Sequence, residues 1–234
     1  MEKLFNRLKQ PSLKDMCMQA LLGKILSGHL KPGDRLPAER ELSEQLGVSR
    51  SSVNHAVMEL ATLGFVEIVP RRGTVVRDYR KHPTPQSLAA VMSYGSFELD
   101  AELFNDLMSF RRLVETECAR LACENIYETT YNEMAELVER FAAGEGDLAE
   151  NLYGFHYRLT QASGNLMYSM IFSGFEPLIR TLIARHYMLR SADTGELAER
   201  YRALLAAISA HDAPLAERLI GEILERGVSA LRGS

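Results

Sequence analysis

Gly47, in the stretch SEQLGVSRSSVNHAV, constrains this chain more than any other residue. Glycine ends a helix readily because it adopts the left-handed conformation there without steric cost, and Ser49, two residues later, is a residue that starts one. Helices on both sides of a three-residue turn, Gly47-Val48-Ser49, cannot run on into each other. They must cross steeply, as the two helices of a helix-turn-helix do.

The flanking sequence supplies the remaining elements. SLKDMCMQALLGKILS (12–27) has apolar residues at helical spacing and predicts a first helix. Pro32-Gly33-Asp34 predicts a turn, and a second helix is expected from Pro37, a residue suited to a first helical position, to Leu46. The third is expected over 50–63, with Val53, Val57 and Leu60 inward. FVEIV and TVV then read as two short strands around a Pro70-Arg71-Arg72-Gly73 turn.

Beyond RDYRKHPTPQS, which reads as a linker, strand patterns give way to helical ones. Stretches 101–125, 129–143, 147–162, 166–189, 195–210 and 213–230 carry apolar residues three and four apart, predicting a bundle of six or seven helices. The expected fold is therefore mainly α: a winged helix-turn-helix at 1–78, a linker at 79–87 and an all-α helical bundle at 88–232.

Charge follows the same division. Residues 1–80 hold 13 Lys+Arg and 9 Asp+Glu, whereas 81–234 hold 14 and 22, giving +4 and −8. A basic first part facing a polyanion and an acidic second part with another task is the natural reading. Cys17, Cys118 and Cys123 form no C-x-x-C pair, so buried free thiols are expected rather than disulfides or a zinc site. No run approaches the ~20 apolar residues of a membrane span, and MEKLFNRLKQ has no signal-peptide pattern. A cytoplasmic protein without membrane contact is expected.

The polar start of the third helix suits DNA. A helix-turn-helix points the first residues of its second helix into the major groove, where Arg50 can bond guanine O6 and N7 and Ser51 and Ser52 are short enough to permit close approach. Asn54 and His55, one turn on, reach a base or phosphate, or else form a solvated surface. Arg71 and Arg72, with Gly73 allowing a tight bend, form a basic wing for the minor groove or backbone.

Over residues 11–77, LPAERELSEQLGVSRSSVNHAVMELATLGFVEIVPRRGTVV resembles the winged helix of GntR-family bacterial transcription regulators. The resemblance assigns DNA contacts to Arg40, Arg50, Ser51 and Ser52. Asn54 stands where the family usually has Arg, and an amide favours adenine over guanine.

FHYRLTQASGN (155–165) is similar to the helical domain of the FadR-type subgroup. Most of its members hold a divalent metal on one Asp and three His. That resemblance sets the four positions on Leu152, His156, Tyr201 and Ile223, too few donors for an ion that needs three, so no metal and no other cofactor is expected. ASGNLMYSMIFSGFEPLIRTLIARHYM, with Arg111 in LMSFRRL, is similar to the acyl-CoA-responsive branch. It implies effector contacts at Arg111, Tyr168, His186 and Tyr187. His156 is either a further contact or a hydrogen-bonded core residue. The carboxy-terminal PLAERLIGEILERGVSALRGS departs from that branch, lacking its closing aromatic.

No G-x-S-x-G, P-loop, G-x-G-x-x-G or paired-carboxylate pattern suggests catalysis. The expectation is a homodimeric repressor on double-stranded operator DNA with palindromic half-sites, released by a small-molecule effector, fatty acyl-CoA. A small organic acid or other metabolite is the alternative effector. A module binding DNA without sequence preference, or binding protein, is the alternative of another class.

Overall fold

The computed structural model describes residues 12–94, 99–188 and 194–232, with the side chains of 185–188 and 227–232 outside the description. It forms two compact units, the first reaching Tyr94 and including Asp100, the second starting at Ala101.

In the first unit, α1 (Leu13–Leu26), α2 (Glu39–Leu46) and α3 (Arg50–Thr62) precede the hairpin β1 (Val66–Val69) and β2 (Gly73–Val76). Ser12 starts α1 with a capping box shared with Asp15. The helix expected from Pro37 begins at Glu39 instead, because Ala38, still extended at ψ 148°, is the last residue before the helical turn. Leu22, Leu26, Val53, Ala56, Leu60 and Phe65 are each fully buried between α1, α3 and the hairpin. Each such side chain contributes roughly 1.5–3 kcal/mol by leaving water, less for Ala56.

The hairpin is antiparallel, pairing Val66 with Val76 and Val69 with Gly73. It has a third participant that alternation did not reveal. Arg35 bridges Val75, and Leu36 N–H donates to Thr74 O at 2.9 Å, tying the segment before α2 to the outer edge of β2.

Residues 79–87, read from the sequence as linker, pack onto this unit. Tyr79 lies on Phe65 with ring centroids 5.0 Å apart, Arg80 pairs with Asp100, and Thr84 caps α4 (Pro85–Met92). Asp100 N–H then donates to Leu26 O at 2.8 Å. Tyr79 and Tyr94 are both buried, which is why the segment folds back instead of running free.

The second unit contains seven helices among the described residues: α5 (Ala101–Asn125), α6 (Glu128–Ala142), α7 (Leu148–Ala162), α8 (Leu166–Gly174), α9 (Glu176–Met188), α10 (Thr194–Ser209) and α11 (Ala213–Arg232). The single helix expected over 166–189 is two. Pro177 has no N–H to donate to the carbonyl four residues earlier, so the chain breaks at Phe175 and restarts with proline in the first turn of α9. α5 and α7 run through the middle, packed by α11, α6, α9 and α10. Tyr201 of α10 meets Phe155 of α7 and Phe141 of α6 edge-on, at 4.7 and 5.4 Å between centroids.

Candidate nucleic-acid interface and buried polar network

Gly47 closes α2 at φ 65°, in the left-handed region, and Ser49 caps α3 by accepting from Ser52 N–H at 3.1 Å. One serine does the capping. Arg50 and Ser51 are the first residues of α3 and lie exposed at its open end, where unpaired N–H groups and the helix dipole favour phosphate. The Arg50 side chain has no hydrogen bond or ion pair among the described residues, so its fork of donors is available to a ligand.

Asn54 follows Arg50 by one turn and His55 follows Ser51, both exposed. His55 Nδ1 bonds Ser51 O at 2.8 Å, turning the ring back along its own helix. Asn54 Nδ2 donates to Glu39 Oε1 at 2.8 Å, a link between α3 and the start of α2. Ser52 is half-buried and its hydroxyl lies 2.9 Å from that of Ser49, so it belongs more to the cap than to the open surface. Arg40 is exposed on α2, 3.9 Å from Glu44, a loose pair that costs little to break.

At the wing, Arg71 is one of two non-glycine residues with positive φ (62°) among the described residues, and Arg72 and Gly73 are exposed beside it. Gly73 has φ 85°, and a Cβ there would stand 3.1 Å from the Arg35 guanidinium. Arg35 thus adds a fourth cation, with Arg71, Arg72 and Arg77, along the hairpin. Its place follows from the single bridge to Val75, which leaves no periodic trace in sequence.

The second unit buries a chain of polar groups. Arg111 Nε donates to Glu115 Oε1 at 2.7 Å, the second oxygen of Glu115 is bonded to His156 Nδ1, and His156 Nε2 lies 2.9 Å from the Tyr201 hydroxyl. Arg111 is 5% exposed, Glu115 0%, His156 3% and Tyr201 1%, so none of them is a surface residue. Burial alone would push the Glu115 carboxyl up. The Arg111 and His156 charges and their hydrogen bonds outweigh it and hold the group below its ordinary value.

Sequence reasoning singled out Arg111 and His156 and missed Glu115, which joins them. Its signal was present: Glu115 follows Arg111 by four residues on α5, the spacing at which helix side chains pair. Phe172 of α8 was missed as well, and the Arg111 guanidinium lies 6.0 Å from its ring centre. Tyr168 is one turn before Phe172 on α8 and half-buried. His186 and Tyr187 fall on α9, with side chains outside the described residues.

These residues do not fit a metal. Leu152 and Ile223 carry no donor atom, and both imidazole nitrogens of His156 are engaged, one by Glu115 and one by Tyr201. Among the described residues no group of three or more His, Cys, Asp or Glu side chains converges elsewhere. The three cysteines are free and buried, and desolvation pushes the Cys118 thiol up to about 12.

A winged helix-turn-helix with an open cationic helix end, followed by a helical unit with a buried cation, defines a ligand-responsive DNA-binding regulator. Residues 13–76 match the family described as bacterial regulatory proteins, gntR family, and residues 106–226 match the FCD domain. The chain belongs to the GntR family, with the FCD type of helical domain that marks its FadR-type subgroup: it is a transcriptional regulator and not an enzyme.

Relatives agree. It is 28% identical over 230 residues to the HTH-type transcriptional regulator Mce2R of Mycobacterium tuberculosis, covering 94% of this chain and 92% of that one. It is 28% identical over 213 residues to the fatty acid metabolism regulator protein of Escherichia coli, covering 88% and 85%. With LutR of Bacillus subtilis it shares 31% over 144 residues, 60% of this chain and 64% of that one. Two solved structures share the fold. E. coli McbR/YncC has a TM-score of 0.52 at 22% identity over 96% of this chain and 99% of that one. Lar, which controls expression of the Listeria monocytogenes agr system, has 0.60 at 21% over 97% and 99%.

Proposed function

We propose that this regulator is a repressor that binds a palindromic operator as a homodimer and is released by a fatty acyl-CoA. The observation that carries the effector reading is Arg111. It is a buried guanidinium with five N–H donors, of which only the Nε one has a partner among the described residues. An anionic head group satisfies the remaining donors, and the aromatic side chains around it, Phe172 with Tyr153 stacked at 5.7 Å, offer an apolar tail its surroundings. The similarity to the E. coli fatty acid metabolism regulator protein supports the same choice.

On this reading Arg40, Arg50, Ser51, Ser52 and Asn54 meet the major groove, Arg71, Arg72 and Gly73 the backbone or minor groove, and Arg111, His156, Tyr168, His186 and Tyr187 the effector. An effector that binds one of two dimer arrangements better by ~1–3 kcal/mol changes operator affinity ~5- to 150-fold.

A small organic acid is the second reading. Glu115, His156 and Tyr201 make the surroundings of Arg111 polar on one side, which suits a compact carboxylate better than a long chain.

Native mass spectrometry of the purified protein, repeated after denaturation, tests both. A dimer carrying a mass that fits an acyl-CoA or fatty acid, which then weakens operator binding when added back, is the expected result. A small acid in its place selects the second reading, and a bound metal or a monomer at micromolar concentration would overturn the proposal.

A further inference from the structure

The bond between Glu39 and Asn54 joins the exposed side of α3 to the start of α2, and neither capping nor packing requires it. We infer that these two residues act as one hydrogen-bond-accepting unit that selects an amino-bearing base, adenine or cytosine, at one position of each operator half-site. The inference rests on the reading that α3 enters the major groove.

Asn54 Nδ2 and Glu39 Oε1 are 2.8 Å apart, and both residues are exposed. An ionised carboxylate only accepts hydrogen bonds, so the amide must turn its NH2 toward Glu39 and its Oδ1 away. The rotamer is thereby fixed by chemistry rather than left to swing. Glu39 itself is the first residue of α2, a helix packed on α3, so the carboxylate is held in place by the helix-turn-helix frame.

A free asparagine offers a donor and an acceptor together and matches the N6 and N7 atoms of adenine. Here one of the two amide hydrogens is already used, which leaves a single donor against two acceptors, Asn54 Oδ1 and the second oxygen of Glu39, and adds the negative charge of the carboxylate. In the major groove the donors are the N6 amino group of adenine and the N4 amino group of cytosine. Guanine O6 and N7 and thymine O4 would place acceptor against acceptor beside a negative charge. The unit therefore works mainly by rejecting guanine and thymine. It does so at some cost in affinity, since Glu39 also repels phosphate.

The experiment is operator selection from random double-stranded DNA by the full chain, compared among wild type, Glu39→Gln, Glu39→Ala and Asn54→Ala. Wild type is expected to enrich adenine or cytosine at one position per half-site by ~10-fold or more over guanine and thymine. Asn54→Ala identifies that position by flattening it, and both Glu39 variants admit guanine and thymine there while leaving the base preferences set by Arg50 intact. Thermal unfolding of each variant confirms that the fold is unchanged. Base profiles identical in wild type and Glu39→Gln, or guanine or thymine at the position that Asn54→Ala flattens, would overturn the inference and leave the operator reading standing. A wild type that enriches no sequence at all would overturn both.

Discussion

The Nε2 atom of His156 lies 2.9 Å from the Tyr201 hydroxyl, and these are two of the four positions at which the chain's resemblance to its subgroup sets metal ligands. The other side of the imidazole is bonded to Glu115, which Arg111 holds in turn. Because a carboxylate only accepts, Nδ1 of His156 carries the hydrogen of that bond, and Nε2 is left to share one with Tyr201. A protein-supplied cation, Arg111, and a phenol thus occupy a region where a metal would have organised carboxylate and imidazole groups.

Removing Glu115 leaves Arg111 buried with its charge unpaired and His156 with an unused donor. Glu115→Leu should therefore destabilise the protein by ~3–5 kcal/mol, measured as a lowered urea midpoint at unchanged slope. The double variant Arg111→Met, Glu115→Leu should recover much of that loss, since it removes the uncompensated charge along with its partner. Equal losses in the single and double variants would mean that the pair contributes only through packing.

The same carboxylate links stability to acid. Its folded value lies below its ordinary 4.5, because Arg111 and His156 outweigh the burial that alone would raise it. In acid the unfolded chain therefore binds this proton before the folded chain does. The stabilisation is complete above about pH 4.5 and is lost as pH falls through the lower folded value. Asp15, Asp78, Glu117 and Glu139 are lowered too, but Asp15 and Glu139 are exposed and Asp78 and Glu117 only half-buried, so solvent screens them more than Glu115. Glu115→Gln should accordingly show a shallower loss of unfolding free energy than wild type as pH falls below about 4.5.

Legibility differed between the two units for a physical reason. In the first, function sits on short-range features: Gly47 stops a helix, Ser49 starts one, and Arg50 lies at the opening that results, so fifteen consecutive residues contain the geometry. Pairings across sequence were hidden there, as with Arg35 against Val75 and Glu39 against Asn54. The second unit's site is built from α5, α7 and α10, and residues 41 and 45 positions apart meet at His156. Helical periodicity places Glu115, His156 and Tyr201 on inward faces but cannot say that those faces meet at one point. The break before Pro177 was misread because the apolar spacing continues through Phe175 although the backbone hydrogen bonding does not.

Arg50 has no hydrogen-bond or ion-pair partner among the described residues and stands at the open end of α3. Arg50→Ala should weaken binding to the selected operator by ~1–3 kcal/mol and relax the base preference at the contacted position. Fluorescence anisotropy on the operator and on single-base variants measures both effects. Unchanged affinity would remove Arg50 from the interface.

Arg72 is exposed at the wing, where the antiparallel strands turn at Arg71 with its positive φ of 62°. A side chain at a hairpin tip has fewer fixed neighbours than one on a helix, so it is suited to a phosphate, which accepts bonds from many directions, more than to a base edge, which does not. Arg72→Ala should therefore weaken operator and random DNA by the same factor. Because a phosphate contact releases about one counterion, the slope of log affinity against log salt should become shallower by roughly 0.9. Binding isotherms at several salt concentrations give that slope directly. A loss confined to one operator base pair, with the salt slope unchanged, would instead place Arg72 on a base edge in the minor groove.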